Sequence, residues 1–173
     1  MNAKLCFLIL LLGTILITSC KKDNFEYGSD YNKSYKAWKQ FQSSSNDNYR
    51  YVVYSGSVFG FSSQTTITVE AGKVTKRSYV QKGYGSGTNQ EIIITGSWDE
   101  TATTINSHQG GASSITLEEV YQKAKNDWLL KREKHITYFE AKNDGMISSC
   151  GHWEDGCQDD CSIGITILSI EKI

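Results

Sequence analysis

The sequence predicts an α+β fold: two helices packed on one face of an antiparallel β-sheet, in the order helix, strands, helix, strands. Three observations predict it. Tyr35, Trp38 and Phe41 recur at a three-residue step, which gathers them on one face of a helix. Thr65 to Val69 and Val74 to Val80 flank the turn sequence Glu70-Ala71-Gly72-Lys73, a strong hairpin signal. Thr116 stands three residues before Glu119 at the head of an apolar-periodic run, the pattern of a capping box. Proline is absent, tyrosine occurs ten times, and β-branched residues are common, all of which favour sheet.

In chain order, the first helix is expected over residues 33–43, ended by Ser43-Ser44-Ser45-Asn46-Asp47-Asn48. Tyr49 to Phe61 alternates and is aromatic-rich, as a half-buried strand should be. The hairpin follows, then a glycine-rich loop over residues 82–89 and a short strand at Ile92-Ile93-Ile94-Thr95. After a Gly/Ser-rich stretch (107–114) the second helix begins at the capping box, buries Leu117, Val120, Ala124 and Trp128, and ends near Lys131. Three strands close the chain: His135 to Ala141, Met146 to Cys150, and Ser162 to Ile170. Asn143-Asp144-Gly145 makes the first turn between them, and the acidic segment from Gly151 to Cys161 makes the second.

The first residues carry an address. Lys4 precedes an apolar run from Leu5 to Ile17, which is too short for a bilayer core requiring about 20 residues. A charged start, a short apolar body and small residues at the exit make a secretory signal rather than a membrane-spanning helix. The exit, Ile17-Thr18-Ser19-Cys20, resembles the bacterial lipobox. That resemblance implies cleavage after residue 19 and lipid on Cys20, with several acyl chains because one alone binds a membrane reversibly. Cys20-Lys21-Lys22-Asp23 is similar to the start of lipoproteins of Bacteroidota-type bacteria. The expected organisation is therefore a signal peptide (1–19), a lipidated polar tether (20–34) and a single domain (35–173). The expected location is the cell envelope, lipid-anchored at the outer membrane, on its periplasmic side or at the cell surface.

Loss of residues 1–19 removes Lys4 and no acid, so the formal charge moves from -1 to -2. A near-neutral chain without a clustered basic field excludes nucleic acid as a partner. The expected partners are the membrane, through the lipid, and a protein or glycan. An exposed stripe of Tyr49, Tyr51, Tyr54, Phe59, Phe61, Tyr79 and Tyr84 would suit such a partner, whereas a buried one would be core.

One segment is dense in reactive groups, running from Cys150 through His152, Glu154, Asp155, Cys157, Asp159 and Asp160 to Cys161. In an exported chain the default reading is one disulfide and one leftover thiol among Cys150, Cys157 and Cys161. A Cys150–Cys161 bridge would join facing strand ends, and the sequence leaves Cys150–Cys157 open. Cys150, His152, Cys157 and Cys161 are also the right types for zinc, although they lack the paired-knuckle spacing. Asp155, Asp159 and Asp160 are hard donors suited to calcium, without the order of an EF-hand loop. No nucleophile elbow, zinc-protease helix or phosphate loop occurs. The expectation is a non-enzymatic binding or structural module that needs no cofactor, with a metal-binding module using the Cys150 to Cys161 loop, or a thiol enzyme with a free thiol of that loop beside His152, as rivals.

In order along the chain come Trp38, Tyr49-Arg50-Tyr51, Val69 to Val74 (with Gly72-Lys73), Thr116 to Tyr121, and Tyr138 with Asp144-Gly145. This succession resembles an uncharacterised domain family of bacterial lipoproteins over residues 38–173. Ser55-Gly56-Ser57 stands where that family often has Cys-x-Cys, and Gly145-Met146-Ile147 where it often has Gly-Tyr-Pro. The resemblance implies a fold and an address and no activity.

Overall fold

The computed structural model describes residues 24–85 and 91–173. The signal segment, Cys20 and part of the glycine-rich loop at 82–89 lie outside the described residues. Helix α1 (Gly28–Ser45) is followed by strands β1 (Tyr49–Gly56), β2 (Ser62–Glu70), β3 (Lys73–Tyr84) and β4 (Ile92–Thr101). Helix α2 (Leu117–Lys123) continues as a π-turn (Ala124–Trp128), and β5 (His135–Glu140), β6 (Ser149–Glu154) and β7 (Ile163–Lys172) complete the chain. All seven strands form one antiparallel sheet in the order β4-β3-β2-β1-β7-β6-β5. The α+β architecture read from the sequence is the one the chain adopts.

The two strongest local signals hold in detail. Thr116 Oγ1 accepts from the Glu119 amide while the Glu119 carboxylate accepts from the Thr116 amide, so each end of the box satisfies a free backbone donor. Glu70 pairs with Lys73 across Ala71 and Gly72, both at positive φ (48° and 73°), which is the two-residue turn whose twist matches that of the strands. Asn48 Oδ1 accepts from the Ala71 amide, tying this turn to the end of α1.

The helix entry differs from expectation. Residues 24–34 were read as part of a polar tether, yet α1 begins at Gly28, five residues before residue 33. Tyr31 is buried, its ring edge-on to Phe25 at 5.2 Å, and Phe25 itself bridges to Leu130. The apolar stripe is therefore Tyr31, Tyr35, Trp38 and Phe41, one turn longer than the three aromatics suggested.

Both helices lie on one face of the sheet and share one core. Trp38 is fully buried between Tyr49 of β1 and Tyr121 of α2, with ring centroids 5.2 and 6.3 Å away. Its Nε1 donates to Glu118 at 2.9 Å, and Tyr35 donates to the same carboxylate at 2.9 Å. Burial works to raise the Glu118 pKa, but these donors and Gln122 outweigh it, so the carboxyl titrates below its ordinary value. Tyr121 closes the layer: its hydroxyl lies 2.7 Å from Ser34 Oγ and accepts from the Ile147 amide at 3.1 Å.

In the C-terminal half, Met146 to Cys150 was read as a strand, but regular pairing starts only at Ser149 and runs on to Glu154. The Asn143 side chain donates to the carbonyls of Ile147 and Ile167, holding residues 143–147 in a turn rather than in the ladder. We expect Trp38→Ala to cost about 3–5 kcal/mol of folding stability, read from denaturant unfolding, because the cavity would sit where α1, α2 and β1 meet.

Candidate functional site

The sheet is continuous at one end and parted at the other. β1 pairs with β7 from Tyr49 only as far as Tyr54, which faces Thr166. Beyond that point Ser55 and Gly56 pair with β2 alone, and Ile163 to Ile165 pair with β6 alone. A notch of about 530 Å³ opens where the two strands separate. Its floor holds Trp128 from the π-turn and Ile115 from the approach to α2, and Lys123 extends over the Trp128 ring at 5.6 Å. Hydroxyls of Ser55, Ser63, Thr65, Ser113, Ser162 and Thr166 line the walls, with Tyr54 at the rim. Tyr138 reaches the notch from β5 across Gly151 and Gly164, where a Cβ on either glycine would collide with its neighbours.

The wall formed by residues 106–115 is seated by a buried ion pair. Arg77 on β3 and Glu100 on β4 face the helix side of the sheet, paired side by side across the ladder. Arg77 donates through Nε and Nη2 to the two Glu100 oxygens at 2.8 and 3.0 Å. Two further N–H groups reach the carbonyls of His108 (2.9 Å) and Ala112 (3.1 Å). Glu100 in turn accepts from the amides of Asn106 (2.9 Å) and His108 (2.7 Å). Trp98 stacks between Tyr79 and His108, with centroids 5.1 and 4.9 Å away, and Arg77 lies 4.7 Å above it. Gly111 has a φ of +70°, and a Cβ there would press on Thr65, Tyr79 and Trp98. The glycine thus lets the loop lie flat on the sheet, with the Ala112 amide donating to Thr65 at 2.9 Å.

The reactive segment is not gathered into one centre. Cys157 bridges Cys161 within the β6–β7 loop and Cys150 stays free, so the one disulfide and one leftover thiol are present and neither bridge weighed for Cys150 forms. Cys150 points into the core opposite Ile165, and burial pushes its thiol up to about 12. A thiol held neutral in this way is a structural group rather than a nucleophile. His152 is also buried, in edge contact with His135 at 5.1 Å, and its Nδ1 has no hydrogen-bond partner among the described residues. Burial, then Arg132 and His135, lower its pKa against the pull of Asp127.

Among the described residues, no three His, Cys, Asp or Glu side chains are placed to hold a metal. The zinc set Cys150, His152, Cys157 and Cys161 is split between core and loop. The acids Asp155, Asp159 and Asp160 remain exposed along that loop. Asp160 and Cys161 do border a second cavity of about 530 Å³, shared with Phe61, Tyr79 and Gln81.

No family model, curated protein or solved structure matches this chain. The site therefore stands on its own geometry. The aromatic stripe divides: Tyr49 and Tyr51 are core, Tyr79 stacks on Trp98, and Tyr54, Phe59, Phe61 and Tyr84 are exposed. Sequence reading missed the notch, because it arises where two strands distant in sequence stop pairing. It also missed the ion pair, although a signal existed: Arg77 shares strand parity with Tyr79, and Glu100 with Trp98.

Hydrogen bonds from Arg77, followed by the His108 and Asn106 amides, draw Glu100 from its ordinary 4.5 down to about 2 against the opposing effect of burial. Its stabilisation is complete above pH 4.5 and is lost as pH falls through that value toward 2. Stability of the native protein should fall across this window. In Glu100→Gln, less stable at neutral pH, the fall should be smaller, as read from urea midpoints at each pH.

Proposed function

We propose that this protein is a lipid-anchored, non-catalytic binding module of the bacterial cell envelope, and that the notch takes a glycan. The lipobox-like Ile17-Thr18-Ser19-Cys20 supports the anchor, and the lipoprotein-family resemblance agrees with it. The observation that carries the binding reading is the lining of the notch: the aromatic side chains of Trp128, Tyr138 and Tyr54 beside six hydroxyl-bearing residues and one lysine. Sugars present apolar C–H faces and many hydroxyls, so stacking planes interleaved with small donors and acceptors match both. A single cation without a facing carboxylate pair suits neutral or mildly acidic residues. Preformed walls lower the ordering cost of binding, since Arg77, Glu100 and Gly111 have already fixed residues 106–112.

A second reading has its own support. The parted edges of β1 and β7 offer unpaired backbone groups, the element an extended peptide uses when it adds to a sheet. Calorimetric titration with defined neutral and acidic oligosaccharides, and with extended peptides, separates the two. We expect an oligosaccharide to bind, and Tyr54→Ala to weaken it by about 2 kcal/mol. Tyr54 is partly exposed at the rim, so the variant should keep its unfolding midpoint. Binding of peptides with no response to any saccharide would replace the glycan with the peptide.

A further inference from the structure

The described residues are polarised along the strand axis. β1 and β3 finish, and β2, β4, β5 and β7 begin, at one end of the sheet, as the registers Gly56 to Ser62, Tyr84 to Ile92 and His135 to Glu154 show. That end carries Val58, Phe59, Phe61, Tyr84, Ile92 and Ile94, each 47–78% exposed. They are contiguous: the Phe61 ring lies against Gly83, and the Tyr84 ring against Gly60. Ile93 lies beside them on β4, and Ile136 on β5 and Ile163 on β7 are exposed at the same end of other strands, while Leu168 and Ile173 stand singly elsewhere. The opposite end is made of polar turns, Asn46-Asp47-Asn48, Ala71-Gly72, Thr101 to Asn106 and Asn143-Asp144-Gly145. A soluble domain gains nothing from concentrating apolar side chains on the ends of its hairpins, and such patches mark interaction surfaces.

The chain enters at this same end. Asn24 O accepts from the Lys131 amide at 2.6 Å, and Lys131 lies four residues before the start of β5. From Asn24 back to Cys20 is four residues, which span at most about 14 Å even when fully extended. Lipid on Cys20 would therefore hold this end, and not the polar one, close to the bilayer surface.

We infer that the apolar end of the sheet docks on the bilayer that receives the Cys20 lipid, with Phe59, Phe61, Tyr84 and Ile92 to Ile94 seated in its interfacial layer. The inference rests on the lipid-anchor reading above. The charged side chains at this end (Lys82, Lys131, Arg132 and Lys134 against Glu91, Glu133, Glu154, Asp155, Asp159 and Asp160) form no basic patch, so the attraction is apolar rather than electrostatic. Tyrosine at the margin of an aliphatic patch fits the boundary between headgroup and hydrocarbon. Docking adds a second membrane signal to the lipid and fixes the orientation of the domain.

The test uses full-length protein expressed in a lipoprotein-processing bacterium, extracted and reconstituted into phosphatidylethanolamine/phosphatidylglycerol vesicles with brominated or plain acyl chains. Intact mass first reports whether Cys20 carries lipid. Phe59→Trp, at an exposed position, should show several-fold more bromine quenching than the native tryptophans. Lys73→Trp, at the opposite end, should show none beyond the native level. Lipid on Cys20 with equal quenching for the two variants overturns the docking and leaves the anchor standing. A Cys20 without lipid overturns both.

Discussion

The Arg77–Glu100 pair is the constraint on which the shape of the binding face depends. Two opposite charges leave water only when every donor and acceptor finds a partner, and here the pair uses the loop at 106–112 to meet that demand. The loop cannot lift without exposing four backbone partners of the pair, and the pair cannot stay buried without the loop. A segment rich in glycine and serine thereby becomes a fixed wall. Gly111 and the Tyr79–Trp98–His108 stack set how closely that wall approaches the sheet, and Thr65 receives it.

A second organising element is the aromatic layer between α1, α2 and β1. Glu118 accepts from Trp38 and Tyr35, so one carboxylate locks together two helices about 70 residues apart in the chain. With that layer fixed, the π-turn presents Trp128 beneath the point where β1 and β7 separate. The notch is thus a consequence of how the core is packed: helices closing one half of the sheet, and strands parting over the other. The same construction leaves the hairpin ends beyond the core uncovered, which is where the exposed apolar side chains collect.

Much of the fold was legible because its signals are local. The capping box at Thr116 and the Ala71-Gly72 turn are each specified within four residues, and both formed as read. The helix entry was not legible, since Tyr31 sits among polar residues and its burial depends on Phe25 and Tyr121, the latter far along the chain. Which cysteines pair was not legible for a related reason. Cys150 was assigned to the end of a strand, whereas β6 begins one residue before it and turns its thiol into the core, leaving Cys157 and Cys161 to meet across the loop with Cα atoms 6.3 Å apart. The notch depends on where pairing between β1 and β7 stops, a property of two segments more than a hundred residues apart that no local pattern encodes.

The most direct test of the central constraint is amide hydrogen exchange in Arg77→Met, followed at Ala112. The Ala112 amide bonds to Thr65, a partner the substitution does not touch, so its protection reports whether the ion pair holds the loop as a unit. Exchange at Ala112 is expected to accelerate together with that at Asn106 and His108, while Tyr121 in the helical core keeps its protection. Native-like protection at Ala112 would contradict it, because the loop would then be seated without the pair.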